Sequence, residues 1–310
     1  MRLVALTGRL LAVALVLTGC RWIAPEVAPD RLPRFEPLSS KPKIALVLGS
    51  GGPRGFAHIG VMKILEQNGI HPDLIVGCSV GSMVGAMSAA GMSATELEAL
   101  SAKIKVAEFF DIGMLGGKSS GGATQNYVND QLNGRTIEQL KIPFAAAATR
   151  IRDRKLVLFT RGDTGLAVRA SSATPESFDP VRVGDEMYQD GDVASPVPIH
   201  AAKSLGARFV IAVDVSAYEK DTPANVPQEW VVNDARRAKQ IAAEAPEADI
   251  LLHPNIGYYA GYKEDYRLRV IGLAEAYTRR QMPAIRAALA KAGLAQAMST
   301  ERSPEAVASR

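Results

Sequence analysis

Cysteine and histidine are scarce in this chain, and its charges nearly balance. Its 310 residues include two cysteines and four histidines, and 36 basic against 32 acidic side chains give a net charge of +4. Two cysteines cannot build a disulfide framework, and no His, Cys or Asp cluster has the spacing of a zinc site. No EF-hand loop is present either. We therefore expect no metal and no other cofactor, and so small a charge gives no support for a nucleic-acid partner.

The N-terminal apolar run, residues 10–17, is too short to span a bilayer. With Arg2 and Arg9 before it, the run has the form of a signal-peptide core. It ends in Leu17-Thr18-Gly19-Cys20, which looks like the lipobox of bacterial lipoproteins, where the cysteine is acylated and becomes the mature N-terminus. We therefore expect residues 1–19 to be a lipoprotein signal peptide and Cys20 to carry lipid. The alternative is a chance cysteine after an ordinary signal peptide.

Lipid on Cys20 has two consequences. Loss of the two arginines of the signal peptide lowers the net charge from +4 to +2, and Cys78 is left without a disulfide partner. The residue after Cys20 is Arg21, and not the aspartate that resembles an inner-membrane retention signal. The expected location is therefore the bacterial outer membrane, lipid-anchored, with the membrane face left open.

The segment at 20–42 is rich in proline. Five prolines recur about every fourth residue without apolar periodicity: Pro25, Pro29, Pro33, Pro37 and Pro42. This pattern predicts an extended, semi-rigid tether that would hold a domain roughly 60 Å from the bilayer at about 3.1 Å per residue. Residues 294–310 are polar and are predicted to be a disordered tail, which leaves 43–293 as one folded domain.

From Lys43 onward, strand-like and helix-like segments alternate. The alternation predicts an α/β fold with a mostly parallel central sheet and helices on both faces. The predicted strands are residues 43–48, 74–76, 144–149, 156–159, 209–214 and 249–253. The predicted helices are residues 56–67, 82–90, 93–106, 267–278 and 283–292, with Pro283 in the first turn of the last one.

One segment has the layout of a nucleophile elbow. Gly77-Cys78-Ser79-Val80-Gly81 runs from an apolar strand into a stretch of small residues. The glycines on both sides, Gly77 and Gly81, let the backbone turn sharply, so that the hydroxyl of Ser79 stands at the head of a helix. The pattern indicates a serine nucleophile.

A glycine-rich loop precedes the helix at 56–67. Gly49-Ser50-Gly51-Gly52-Pro53-Arg54-Gly55 presents N–H groups to an anion, which could be a phosphate or the oxyanion of an acyl transfer. The Gly-Lys-Ser/Thr ending of a Walker loop is missing, and Arg54 stands where a Rossmann fingerprint has its third glycine. With a serine elbow downstream, an oxyanion hole is the better interpretation.

A third segment of interest is the acidic turn Asp190-Gly191-Asp192, after the glycine-rich loop and the serine elbow. The three segments together resemble the patatin-like phospholipase family, which has a G-G-G-x-R-G loop, a G-x-S-x-G elbow and a D-G-G/A turn. The resemblance covers roughly 43–293 and implies a patatin-like three-layer fold. It also implies a serine acyl hydrolase of the phospholipase A or lipid esterase type, acting on phospholipids or other fatty-acyl esters of membranes.

The resemblance implies a role for each matching residue. Ser79 would be the nucleophile and Asp190 its base in a Ser-Asp dyad that works through an acyl-enzyme. Gly51 and Gly52 would be the oxyanion donors, joined by the N–H of Val80. Two further residues would brace the loop: Arg54 and Gly55.

Two residues depart from the family pattern. Ser50 replaces the usual first glycine of the loop, and Asp192 replaces the usual Gly or Ala of the acidic turn. Asp192 is interpreted as a passive residue of a solvated turn, or else as a charge that raises the pKa of Asp190. A Ser-Asp-His triad through His200 or His253 is the rival to the dyad.

Other functions stay open at this point. One alternative is a non-catalytic patatin-fold lipoprotein that binds lipid, and another is a thioesterase or small-ester esterase. A loop with five glycines at 113–122 is either a floppy surface loop or a flap that brings Met114 and Leu115 to the acyl chain. The sequence leaves the oligomeric state undetermined.

Overall fold

The computed structural model describes residues 25–105, 111, 117–175 and 177–295. These residues form eight β-strands and eight α-helices. The strands are β1 (Ile44–Leu48), β2 (Leu74–Cys78), β3 (Phe144–Arg150), β4 (Leu156–Phe159), β5 (Val181–Val183), β6 (Glu186–Asp190), β7 (Phe209–Val213) and β8 (Ile250–Leu252). The helices are α1 (Ala57–Gln67), α2 (Val80–Ala89), α3 (Ala94–Lys103), α4 (Gly122–Gln131), α5 (Thr164–Ser171), α6 (Ile199–Ser204), α7 (Gln228–Glu244) and α8 (Glu264–Lys291).

All eight strands belong to one sheet, ordered β5-β6-β3-β2-β1-β7-β8, with β4 also paired to β3. Strands β3, β2, β1, β7 and β8 are parallel neighbours. Strands β4, β5 and β6 pair antiparallel at the β3 end. The predicted mostly parallel α/β fold is therefore confirmed. The carboxyl ends of β1 and β2 lead into the two glycine-containing turns, which places both turns at the same edge of the sheet.

Both faces of the sheet are covered, so its central strands are apolar throughout. In β1, the side chains of Ile44, Leu46 and Leu48 belong to a core shared with α1, α2 and α8. Ala45 and Val47 point to the other face and belong to a second core with α6 and one residue of α7. This alternation is what a strand buried between two helical layers requires.

The C-terminal helical region is one helix and not the two that were predicted. Helix α8 continues through Pro283. Proline usually ends a helix because it lacks an N–H group and its ring crowds the preceding turn. Here the buried positions recur every three or four residues on both sides of the proline: Val270, Ile271, Ala274, Thr278, Met282, Ile285 and Leu289. This continuous apolar stripe favours one helix along its whole length.

The segment at 25–42 lies on the domain and is no free tether. The N–H of Arg34 donates to the carbonyl of Arg161 (3.0 Å), and the N–H of Thr160 donates back to Arg34 (3.0 Å). The N–H of Glu36 donates to the Thr160 hydroxyl (2.7 Å). The tether prediction is therefore wrong over this stretch, because an extended proline-rich chain can also bind along the residues that follow β4.

Several predictions fall outside the described residues. The signal peptide, Cys20, and the Met114 and Leu115 of the suggested flap lie there, as does the predicted tail from residue 296 onward. Leu294, at the start of that tail, is buried. Within the described ranges, none of the helices has the length and apolar character needed to cross a bilayer.

Candidate active site

The nucleophile elbow is formed between β2 and α2. Ser79 has φ 55° and ψ −127°, one of three non-glycine residues with positive φ in the described parts of the chain. Such a conformation is strained and persists only where surrounding contacts hold it. Those contacts are hydrogen bonds: the N–H of Ser79 donates to Ser171 Oγ (2.9 Å), and Ser82 Oγ donates to the Ser79 carbonyl (2.6 Å). Ser171 in turn donates to the carbonyl of Ala147 on β3 (2.6 Å).

Steric crowding explains why glycines flank the serine. A Cβ on Gly77 would lie 2.4 Å from Ser82 Cα, and one on Gly81 would lie 2.1 Å from the carbonyl oxygen of Leu48. Both contacts are with backbone atoms, which cannot move aside cheaply. The two glycines therefore let α2 pack directly against β2 and β1, and this fixes where the serine hydroxyl points.

Ser79 and Asp190 meet, although they are far apart in sequence. Ser79 Oγ donates to Asp190 Oδ2 at 2.7 Å, and both residues are buried. Asp190 ends β6, where it pairs with Ala148 of β3. Thr174 Oγ1 donates to the same carboxylate oxygen (3.0 Å), and the N–H of Asp192 donates to Oδ1 (2.8 Å).

The pKa of Asp190 is raised from 3.8 to about 7. Burial is the main cause, and the negative charge of Asp192 is the second. Hydrogen bonds from the Asp192 N–H, Ser79 and Thr174 work in the opposite direction, because they stabilise the ionised form. A carboxylate with a pKa near neutrality is well matched to accept a proton from a hydroxyl at physiological pH.

The glycine-rich loop begins at the end of β1 and is fixed at its start by backbone hydrogen bonds. The N–H of Gly49 donates to Val213 (3.0 Å), and the N–H of Ser50 donates to Pro196 (2.8 Å). By contrast, three N–H groups have no acceptor among the described residues: those of Gly51, Gly52 and Val80. These are the three donors predicted for the oxyanion.

The loop lies against the start of α2. A Cβ on Gly55 would fall 2.4 Å from the methyl groups of Val80, so only glycine allows this close approach. Arg54 donates to the carbonyl of Tyr258, and its guanidinium lies 5.8 Å from the centre of the Tyr258 ring. This contact joins the loop to the segment before α8.

None of the histidines His58, His200 and His253 takes part in the dyad. His200 lies within 3.0 Å of Glu247, and His253 contacts Asp214 (3.4 Å) and the carbonyl of Ser216 (3.0 Å). Buried His58 has a pKa lowered to about 4 by burial, and its Nε2 lies 2.8 Å from the Gly49 carbonyl. Since a carbonyl can only accept, the neutral ring carries its proton on Nε2.

Asp192 does not lie in a solvated turn as the passive interpretation assumed. It is 6% exposed. Its carboxylate accepts a hydrogen bond from Ser50 Oγ, one from Arg236 (2.5 Å), and a bifurcated one from Arg237 Nε, which lies 2.9 and 3.0 Å from the two carboxylate oxygens. The two residues that depart from the family pattern therefore bind each other.

The charge of Asp192 is stabilised by these partners. Burial alone would raise its pKa, but the Arg237 charge, the Ser50 hydrogen bond and the Arg236 charge outweigh it and keep the pKa below its usual range. The sequence analysis missed both arginines, which lie on α7. The pattern of α7 offered no signal for them, since charged residues on a half-exposed helix are common. The sequence analysis also missed Ser171 and Thr174, which hydrogen-bond to Ser79 and Asp190.

Two cavities lie beside the residues of the dyad: Asp190 lines one, and Val80, next to Ser79, lines the other. One, of about 480 Å³, is polar and is lined by Asp190, Asp192 and arginine side chains, among others. The other, of about 130 Å³, is mostly apolar; Gly52 and Val80 line it together with side chains of α2 and α3. Thr174 lines both cavities. No group of three or more His, Cys, Asp or Glu residues suited to a metal ion occurs within the described ranges.

Comparison with known proteins agrees with this architecture. A family model described as patatin-like phospholipase matches residues 46–203, half of the chain. The chain is 35% identical over 209 residues to an uncharacterized NTE family protein of Mycobacterium tuberculosis, covering 62% of this chain and 56% of that protein. It is 32% identical over 188 residues to human patatin-like phospholipase domain-containing protein 6, covering 57% of this chain and 14% of that protein.

A third relative is the lysophospholipase NTE1 of Debaryomyces hansenii, 28% identical over 199 residues, covering 62% of this chain and 13% of that protein. The chain thus spans about half the length of the mycobacterial relative and a small part of the other two. Among solved structures, VipD from Legionella pneumophila superimposes with a TM-score of 0.54 at 12% identity, covering 82% of this chain and 70% of that one. That likeness concerns the fold alone.

Proposed function

Because the chain belongs to the patatin-like phospholipase family, we propose that it is a serine acyl hydrolase that cleaves fatty-acyl esters of membrane lipids. The observation that carries the proposal is the 2.7 Å hydrogen bond from Ser79 Oγ to Asp190 Oδ2. It pairs a strained, buried hydroxyl with a carboxylate whose pKa is about 7. This is the arrangement of a nucleophile and its base.

In the proposed reaction, Ser79 Oγ attacks the ester carbonyl carbon while Asp190 Oδ2 takes the hydroxyl proton. The tetrahedral intermediate collapses, the bond to the alcohol oxygen breaks, and the proton on Asp190 passes to the departing alcohol. Water then attacks the acyl-serine, Asp190 accepts a proton from that water, and the fatty acid leaves as Ser79 Oγ regains the proton. The alcohol of a phospholipid would be the lysolipid, and that of a lysophospholipid the glycerophosphate head.

The negative charge on the carbonyl oxygen would be stabilised by the N–H groups of Gly51, Gly52 and Val80. These have no acceptor among the described residues and are free to turn to the substrate. Removing one such donor typically costs about 3–4 kcal/mol of transition-state stabilisation. Since Gly52 and Val80 also line the apolar cavity, the acyl chain would extend into it.

The apolar lining of the smaller cavity suits the acyl chain of an ester. That lining includes Phe56, Met83, Met87 and Leu97. Relatives named as a phospholipase domain protein and a lysophospholipase support lipid esters as the substrate class. A thioester of the same acyl chain would fill the cavity equally well and stays the alternative.

The direct test is Ser79→Ala. We expect turnover of a p-nitrophenyl acyl ester to be lost while the melting temperature stays near that of the wild type. A fluorophosphonate probe should label the wild type, and Ser204→Ala as a control, but not Ser79→Ala. Labelling that survives in Ser79→Ala would disprove the nucleophile assignment, and a wild type that turns over no ester would favour a lipid-binding protein.

We also propose that the protein is an outer-membrane lipoprotein anchored through Cys20, on the sequence evidence of its lipobox. Cys20→Ala should move the protein from the membrane pellet to the soluble fraction, because acylation is the anchor that the sequence indicates. A Cys20→Ala protein that still sediments with membranes after a high-salt wash would require a second membrane contact.

A further inference from the structure

The two cavities differ in chemistry, and Thr174, which donates to the Asp190 carboxylate, lines both of them. The apolar cavity borders the unpaired N–H groups of Gly52 and Val80. The polar cavity borders the carboxylate of Asp190. When a hydroxyl attacks an ester, the acyl chain and the leaving alcohol extend from the same carbonyl carbon in different directions. If the acyl chain occupies the apolar cavity, the polar cavity is left for the leaving group.

Arginines outnumber carboxylates by one in the lining of the polar cavity. Three arginines line it, Arg154, Arg236 and Arg237, against the two carboxylates Asp190 and Asp192. Asp192 holds Arg236 and Arg237, and Asp190 is partly protonated near neutral pH. The cavity therefore has an excess of positive charge, which favours a leaving group that carries an anion.

Arg154 differs from the other arginines on the same turn. Arg150 forms an ion pair with Asp153 (2.7 Å), and Arg152 forms one with Glu186 (2.7 Å). Arg154 forms no ion pair or hydrogen bond with any side chain among the described residues, and it is the arginine of this turn that lines the cavity. Its guanidinium has donors available for a ligand.

The backbone conformation of Arg154 follows from its place at the end of the β3–β4 hairpin loop. Its φ is 56°, so it shares with Ser79 the rare positive φ of a non-glycine residue. Glycine or asparagine would adopt this conformation at a lower cost. The hairpin loop imposes the conformation, and it leaves the Arg154 side chain in the lining of the cavity.

We propose that the polar cavity binds the phosphate-bearing alcohol released from a lipid substrate, and that Arg154 contacts the phosphate and sets the preference for it. This inference rests on the proposed acyl hydrolase function. Arg236 adds charge to the cavity wall, but it is already engaged by Asp192. Arg154 is thus the residue by which headgroup preference can be tested without disturbing the Asp192 cluster.

The test compares two substrates that differ only in the phosphate. Lysophosphatidic acid and the monoacylglycerol with the same acyl chain are presented in neutral detergent micelles, and kcat/KM is measured for each. In Arg154→Gln we expect the ratio of the two kcat/KM values to shift about 10-fold or more against lysophosphatidic acid, since a charge-assisted hydrogen bond is lost. Arg152→Gln is the matched control on the same turn and should keep the wild-type ratio.

Three outcomes would overturn the inference. An unchanged ratio in Arg154→Gln would mean that no phosphate is contacted. An equal shift in Arg152→Gln would mean that general surface charge is responsible. Equal losses on both substrates in Arg154→Gln would mean that the arginine acts through the fold or the chemistry.

A binding measurement separates this inference from the proposed function. Calorimetric titration of Ser79→Ala with lysophosphatidic acid measures how tightly the ligand binds, and this can be done even if the wild type hydrolyses no ester. Adding Arg154→Gln should weaken that binding about 10-fold or more. Inorganic phosphate is the second ligand. If it binds as tightly as lysophosphatidic acid and loses affinity equally, the cavity is a free-anion site and the assignment to a lipid leaving group is wrong.

Discussion

Replacing Asp192 by glycine should destabilise the fold and, at the same time, move the acid limb of the pH–rate profile to lower pH. Asp192 is 6% exposed and accepts hydrogen bonds from Ser50, Arg236 and Arg237. Glycine is the family-like residue at this position. In this chain it would remove the carboxylate to which two half-buried guanidinium groups and the buried Ser50 hydroxyl donate, although Arg236 would keep its hydrogen bonds to the backbone carbonyl of residue 192 and to Gln240.

The size of the stability loss follows from that burial. Breaking a buried ion pair by removing one partner costs roughly 3–5 kcal/mol. The arginine side chains are 30% and 28% exposed, so water can reach them and the lower end of the range, about 3 kcal/mol, applies here. For a domain of this size that corresponds to a fall in melting temperature of roughly 5–10 °C.

The shift in the pH profile has a definite sign. Asp190 must be ionised to accept a proton, so kcat/KM of the wild type should rise with pH through the Asp190 pKa of about 7. Asp192→Gly removes a negative charge that raises this pKa, and it also leaves Arg237 without its neutralising partner. Both changes lower the Asp190 pKa, by about 1 unit or more for a charge so close. Burial still keeps the pKa above its usual range.

The assay is kcat/KM for a p-nitrophenyl acyl ester between pH 5 and 9, with thermal melts on the same samples. Ser50→Gly and the double variant Ser50→Gly/Asp192→Gly complete the set. Because the double variant removes the orphaned hydroxyl as well, its stability loss should be smaller than the sum of the single losses. An acid limb that stays at the wild-type pH would refute the electrostatic argument. Additive stability losses would mean that Ser50 and Asp192 do not interact.

Two further predictions concern the base and the packing of the first helix. Asp190→Asn should lower kcat/KM by roughly 10²–10⁴. It should also stabilise the protein, and by more at pH 8 than at pH 5. The reason is that the pKa of Asp190 in the folded state is raised to about 7, so the wild type loses stability as pH rises through that value. Melting temperatures at the two pH values check this, and an equal gain at both would contradict it. Gly60→Ala should destabilise by about 2 kcal/mol, since its Cβ would lie 2.2 Å from the Ile271 carbonyl oxygen. Gly272→Ala is the control, because a Cβ at this position would have no neighbouring atom within 4 Å. In a urea titration this variant should be neutral or more stable by up to about 1 kcal/mol. Equal effects of the two substitutions on the free energy of unfolding would mean that the close contact at Gly60 is not limiting.

The features that could be predicted from the sequence are those determined by a few neighbouring residues. The elbow around Ser79 depends on two glycines and a strand-to-helix turn, and all of these are local. The central strands are short apolar runs, which identify strands buried on both faces. That Asp190 would meet Ser79 came from the family resemblance, since 111 positions separate the two residues.

The predictions that failed rest on local rules that tertiary contacts override. Proline-rich composition at 25–42 predicts a stiff chain, but it carries no information on the pairing of Arg34 with Arg161. Proline usually breaks a helix, so two helices were predicted around Pro283. Buried side chains on both sides of that residue nevertheless stabilise one continuous helix. The partners of Asp192 could not be predicted either, because Arg236 and Arg237 lie more than forty positions along the chain on a helix without a diagnostic pattern.

The two departures from the family pattern are best understood as one change. A serine at position 50 alone would put a hydroxyl in a buried loop, and an aspartate at position 192 alone would put a buried charge beside the base; each alone would be costly. Together Ser50 donates to Asp192, and two arginines balance the charge. The gain lies at Asp190. A fixed negative charge two residues away raises the pKa of Asp190, the proposed base, an effect that the usual Gly or Ala at this position cannot supply. The same arginines line the cavity assigned to the leaving group, so the residues that tune the base also shape the site for the anion that departs.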